Sequence, residues 1–76
     1  TIKEKVAHFL LQKADDKFHS FELKNTQQQL ADMFGVTRPS LARVLAEMQH
    51  DKLIKIEKKT VTLLNKQALN ELLRNG

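Results

Sequence analysis

Apolar residues recur at Ile2, Val6, Phe9, Leu10 and Ala14 in steps of three and four, which predicts one face of an amphipathic helix. Thr1-Ile2-Lys3-Glu4 opens it with a capping-box pattern, in which a hydroxyl and a carboxylate can each satisfy a free backbone amide. Asp15-Asp16 is expected to end that helix, and Phe18 to Leu23 reads as a short strand with imperfect alternation. After a turn at Lys24-Asn25, Thr26-Gln27-Gln28-Gln29 repeats the capping signal and opens a second helix with Leu30, Ala31, Met33 and Phe34 as its apolar positions. Gly35 stands where a helix needs a left-handed C-terminal residue. Only Val36 separates it from Thr37, a good N-cap, and Pro39 falls in the next first turn, where a proline loses no helical hydrogen bond. Leu41, Val44, Leu45 and Met48 then give a third helix one clean core face.

Beyond Asp51-Lys52 the period changes. Leu53 to Glu57 and Thr60 to Leu64 are short, β-branched stretches joined at Lys58-Lys59, a hairpin with a basic tip and an undetermined turn type. Asn65 can cap a last helix running through Arg74, with Ala68, Leu69, Leu72 and Leu73 apolar. The order is helix, strand, helix, tight turn, helix, hairpin, helix. It predicts an α+β winged helix-turn-helix, mainly helical with a small β-hairpin wing, as one domain over residues 1–76. The helix-turn-helix occupies about 26–49 and the wing about 53–64.

With 76 residues, one modest core is available, so nearly every apolar position is expected to face inward. The longest apolar runs are too short to cross a bilayer and no secretory signal is visible, so a cytoplasmic setting is expected. The chain contains no cysteine, which removes disulfides and thiolate metal sites. It also lacks an initiator Met, and is expected to be a piece of a longer protein. Its net charge of +4 is uneven: residues 1–35 carry five Lys and five acids, whereas residues 36–76 carry eight Lys or Arg against four acids. A basic half of this kind points to nucleic acid.

The candidate chemistry follows from helix geometry. A recognition helix is held by its inner face while its outer face enters the major groove. At about 100° per residue, Arg43 lies opposite the Leu41–Val44–Leu45–Met48 face, flanked by the small Ala42 and Ala46. Arg38 is in the first turn, which points at base edges. Thr26, with the amides of Gln27 and Gln28, can hold a phosphate at a helix N-terminus, and Lys58 and Lys59 can reach the DNA backbone from the wing. Each residue also has a plain structural role, as cap, solvated charge or hairpin tip, and it is their shared motif that joins them. His8, His19 and His50 have no metal-ligand spacing and read as surface or half-buried residues.

Thr26 to Val61, TQQQLADMFGVTRPSLARVLAEMQHDKLIKIEKKTV, resembles the DNA-binding domain of the cyclic-AMP receptor and fumarate–nitrate regulator (Crp/Fnr) family. The resemblance implies that Arg38 and Arg43 read bases, that Ser40 meets phosphate or base beside Thr37, that Thr26, Gln27 and Gln28 hold phosphate, and that Lys59 serves the wing. One position departs: many members carry Glu directly after the first Arg, accepting a bond from cytosine, and Pro39 cannot do this. The resemblance further implies a bacterial transcription regulator that is a homodimer when complete, with its effector sensed outside this domain and RNA polymerase as a further partner. The isolated domain is expected to be monomeric, to hold no cofactor and to bind operator DNA.

Two other readings remain at this point. One is a winged-helix protein-interaction module that never meets DNA, since fold alone does not settle function. The other is a winged-helix regulator of a different family. An enzyme is not expected, because no nucleophile–base arrangement, glycine-rich phosphate loop or paired carboxylates are visible.

Overall fold

The structure, a computed structural model, describes residues 1–14 and 19–75. Four helices, α1 (Ile2–Lys13), α2 (Gln27–Phe34), α3 (Arg38–His50) and α4 (Lys66–Asn75), surround one face of a small sheet of β1 (Ser20–Glu22), β2 (Ile54–Glu57) and β3 (Thr60–Leu63). The expected end of α1 at Asp15-Asp16 and the expected strand start at Phe18 lie outside the described residues. The sheet order is β1-β3-β2 and both pairings are antiparallel, with Phe21 opposite Val61 and Ile56 opposite Val61. The wing is therefore not a free-standing hairpin: β1 pairs along its second strand, and Ser20 and Thr62 share a hydroxyl hydrogen bond of 2.8 Å. β2 and β3 are each one residue shorter than their apolar runs, with Leu53 and Leu64 just beyond the sheet and joined by the Leu64 N–H to Leu53 carbonyl bond.

The core draws on every helix and on two of the strands. Val6, Ala7 and Leu10 of α1, Leu30 and Ala31 of α2, and Leu41, Val44, Leu45 and Met48 of α3 pack with Ile54, Val61, Leu63 and Leu69. No polar or charged residue is buried among the described residues. Two apolar side chains break the expectation of inward packing: Met33 is 53% and Leu64 51% exposed. In α2 the inward arc is only wide enough for Leu30, Ala31 and the half-buried Phe34, so Met33 falls on its flank.

Left-handed residues end both helices of the central motif. Gly35 (φ +70°) lets the Val36 N–H reach the Ala31 carbonyl and its own N–H the Asp32 carbonyl. Lys52 (φ +59°) repeats the geometry after α3, with Leu53 N–H on Met48 and Lys52 N–H on Gln49. A third left-handed residue, Lys58 (φ +54°), is the first of the two residues between Glu57 and Thr60. One positive φ at that first position is the sign pattern of a type II′ hairpin turn, which twists with the strands it joins. Two further contacts fix α2 against α1: the Phe9 and Phe34 rings meet edge-on at 5.7 Å, and Lys5 Nζ donates to the Phe34 carbonyl at 3.1 Å.

Candidate nucleic-acid interface

The two helices of the motif begin in different ways. Thr26 Oγ1 accepts from the Gln29 N–H at 3.1 Å while Gln29 Oε1 accepts from the Thr26 N–H at 2.9 Å. This closed box leaves the N–H groups of Gln27 and Gln28 without an intrahelical partner at the positive end of the helix dipole. At α3, Thr37 Oγ1 accepts from the Ser40 N–H at 3.3 Å and donates its own proton to Ser40 Oγ at 2.9 Å. Ser40 Oγ, having accepted that proton, still carries an O–H that can donate outward. Pro39 has no N–H, so the first turn of α3 offers the Arg38 amide alone.

The inner face of α3 is Leu41, Val44, Leu45 and Met48, all buried. Arg38, Pro39, Arg43, Ala46, Glu47 and His50 are exposed on the rest of the helix. The flanking acid is drawn aside: Glu47 pairs with Lys3 of α1 at 3.6 Å. Arg38 and Arg43 make no side-chain hydrogen bond or ion pair with any described residue, and the same is true of Lys58 and Lys59 at the hairpin tip. Of the other cations, Lys3 pairs with Glu47, Lys5 with the Phe34 carbonyl, Lys13 lies over the Phe9 ring and Lys55 pairs with Glu57 at 2.6 Å, whereas Lys24, Lys52 and Arg74 make no side-chain hydrogen bond or ion pair with a described residue. The Lys55 hydrogen bond and its charge hold the Glu57 carboxyl below the ordinary carboxylate range, and the same bond raises Lys55.

Thr26, Gln27, Lys58 and Lys59 come together around one cleft of about 240 Å³, floored by Leu30, Leu45, Ile56 and Val61. Gln28 is turned away from it, its side chain donating to Asp32 Oδ1 at 3.0 Å. Thr37, Arg38, Ser40 and Arg43 form a separate group on α3 and do not line the cleft. Two residues of this surface escape a reading by residue type. Lys24 lines the cleft beside the wing lysines, a place legible only as the second residue before the Thr26 cap. Gln49 accepts the Ile56 N–H at 3.3 Å, tying the end of α3 to the edge strand of the wing, and the sequence carries no signal for that bond.

His8, His19 and His50 are exposed, and the described residues contain no cluster of metal-ligating side chains. No described helix is long and apolar enough to cross a membrane.

Comparison with known proteins places this geometry. Residues 4–72 match the Crp-like helix-turn-helix domain family. The global nitrogen regulator of Synechococcus elongatus is 36% identical over 52 residues, which make up 68% of this chain and 23% of that protein. Among solved structures, a Crp/Fnr-family transcriptional regulator from Eubacterium rectale has a TM-score of 0.80 at 28% identity, covering 97% of this chain and 34% of that one. FixK2 from Bradyrhizobium japonicum has a TM-score of 0.82 at 25% identity, covering 95% of this chain and 38% of its own. The chain therefore spans well under half the length of each of these relatives. Its four helices and small antiparallel three-stranded sheet are those of a Crp/Fnr winged helix-turn-helix, and the chain belongs to the Crp-like helix-turn-helix domain family.

Proposed function

We propose that this chain is the DNA-reading domain of a transcription regulator, binding duplex DNA sequence-specifically with α3 in the major groove and the β2–β3 wing on the backbone. The observation that carries this reading is the grouping of Arg38, Arg43, Lys58 and Lys59, exposed and without a side-chain partner among the described residues, on α3 and at the wing tip of one helix-turn-helix motif. Cations held free on one exposed motif suit a polyanion. Arg43 would read guanine through its two-pronged guanidinium, and Arg38 a base edge from the first turn. Ser40, with its hydroxyl oriented by Thr37, would donate to a phosphate or base acceptor. Thr26 and the amides of Gln27 and Gln28 would hold a phosphate, with Lys58 and Lys59 beside them.

Phosphate contacts position such a domain and base contacts discriminate. In a complete regulator two copies would read half-sites about one helical turn apart. A single copy is expected to bind weakly, in the range of roughly 10⁻⁴ to 10⁻⁶ M typical of non-specific contact. Fluorescence anisotropy on a selected and a scrambled duplex tests the assignment. Arg43→Ala should cost about 1–3 kcal/mol on the selected site, whereas Lys59→Ala should weaken both duplexes alike and lower the salt slope by about one. Equal losses for both variants on both duplexes would remove the base-reading role.

A further inference from the structure

The outer face of α3 has an apolar centre. At about 100° per residue, Pro39, Arg43, Ala46 and His50 form one stripe opposite the buried Leu41–Val44–Leu45–Met48 face. Pro39 lies one turn before Arg43 on that stripe and is exposed. Its ring has neither donor nor acceptor, and its backbone has no N–H, so no base edge can be hydrogen-bonded there. The pyrrolidine ring also holds no rotamer freedom to lose on contact, and φ is fixed within the helix. The apolar group that a base pair displays in the major groove is the thymine 5-methyl.

We infer that Pro39 is a specificity-determining residue that selects a thymine by contact between its ring and the base's 5-methyl group. This rests on the reading of α3 as the helix that enters the major groove. An adjacent polar donor, the Ser40 hydroxyl held by Thr37, and Arg43 one turn on give the stripe its hydrogen-bonding partners. Pro39 supplies a discrimination that does not depend on a hydrogen bond, between thymine and the other pyrimidine, whose 5-position bears hydrogen.

The test selects a preferred duplex from a random-sequence pool with this chain at low salt, then replaces each thymine in turn by deoxyuridine, which removes only the methyl group. One replacement should weaken binding about fourfold, the scale of one buried methyl, while the others change little. In Pro39→Ser, that same replacement should have no effect, and in Pro39→Ala part of it should remain. If every deoxyuridine replacement is silent on a duplex still bound with sequence preference, the proline contact is overturned and the DNA-reading role stands. If the sensitive thymine is equally sensitive in a folded Pro39→Ser, the methyl is read by another residue and the assignment fails. Absence of any sequence preference would overturn the DNA-reading role and this inference together. If Pro39→Ser is ill-folded, the deoxyuridine series on the unaltered chain still tests whether a methyl is read at all, and Pro39→Ala, in which an undiminished sensitivity would overturn the assignment, tests whether the proline ring reads it.

Discussion

The two faces of α3 are built from one helix under opposite demands. On the inner face Leu41 and Met48 are completely buried and Val44 and Leu45 nearly so, in a core without a buried polar group. On the outer face Arg43 has no partner among the described residues, with the small apolar Pro39 one turn before it and Ala46 one turn after, and the equally unpartnered Arg38 stands in the first turn at the edge of the buried face. The inner face can be explained entirely by packing. The outer side is not set by packing: its two guanidiniums are exposed and make no ion pair with a described residue, and the one acid of the helix, Glu47, is bound by Lys3. The contrast teaches that stability and recognition are carried by separate sets of residues a few ångströms apart, and each set can be altered alone.

The largest effect expected from that separation is on the inner side. Leu41→Ala should lower unfolding free energy by about 2–5 kcal/mol, read by urea denaturation, since a fully buried side chain in a small core leaves a cavity. Arg43→Ala should leave stability within about 0.5 kcal/mol of the parent, as expected for an exposed position away from caps and cores. A comparable loss of stability in both variants would break the comparison. At the boundary between the faces, Thr37→Ala removes the acceptor for the Ser40 N–H and should cost about 1 kcal/mol. It also frees the Ser40 hydroxyl from its oriented state. Thr37 is therefore the residue at which both readouts, unfolding and DNA affinity, are expected to move together.

Smaller effects sharpen the picture at the ends of α3 and in the wing. Lys52 holds a left-handed conformation with its amide on Gln49. Lys52→Gly relieves roughly 1–2 kcal/mol of left-handed strain against roughly 0.4–1 kcal/mol of added unfolded-chain freedom, so it should raise stability by about 0.5 kcal/mol. In the wing, Glu57 is held below the ordinary carboxylate range by the Lys55 hydrogen bond and charge. Its folded form is thus favoured above the usual carboxylate range, and that contribution disappears as pH falls through the lowered folded value. Side-chain carboxyl NMR shifts should show Glu57 titrating low, and Lys55→Ala should return it to the ordinary range. Lys58 and Lys59 have no such tether, so the same substitution at either should leave Glu57 unmoved.

Much of this arrangement was legible in the sequence because it depends on local chemistry. The Thr26 and Thr37 caps, the left-handed Gly35, the core face of α3 and the Asn65 cap, whose Oδ1 accepts the Ala68 N–H at 3.0 Å, are each set within four residues. What could not be read depends on contacts between segments. The strand expected within Phe18 to Leu23 is present as Ser20–Glu22, but its pairing with Thr60–Thr62 joins residues about forty apart, and so short a strand carries no sign of its partner or register. The left-handed Lys52 and Lys58 were hidden because lysine is not a residue that signals positive φ. At the candidate interface, Arg38, Arg43 and the wing lysines stood out by type and spacing. Lys24 and Gln49 did not, since the first reaches the cleft only through the return of the wing and the second acts through a backbone amide seven residues away.

The claim that α3 and the wing together form a DNA-binding surface is tested most directly by NMR titration of the isotopically labelled chain with a short mixed-sequence duplex, at low and then moderate salt. The expected result is amide shifts centred on Thr37 to Arg43, on Gln27 and Gln28, and on Lys58 and Lys59, fading as salt screens the phosphate contacts. Shifts absent at low salt, or confined to α1 and α4, would contradict it and make the exposed arginines a surface for a protein partner instead.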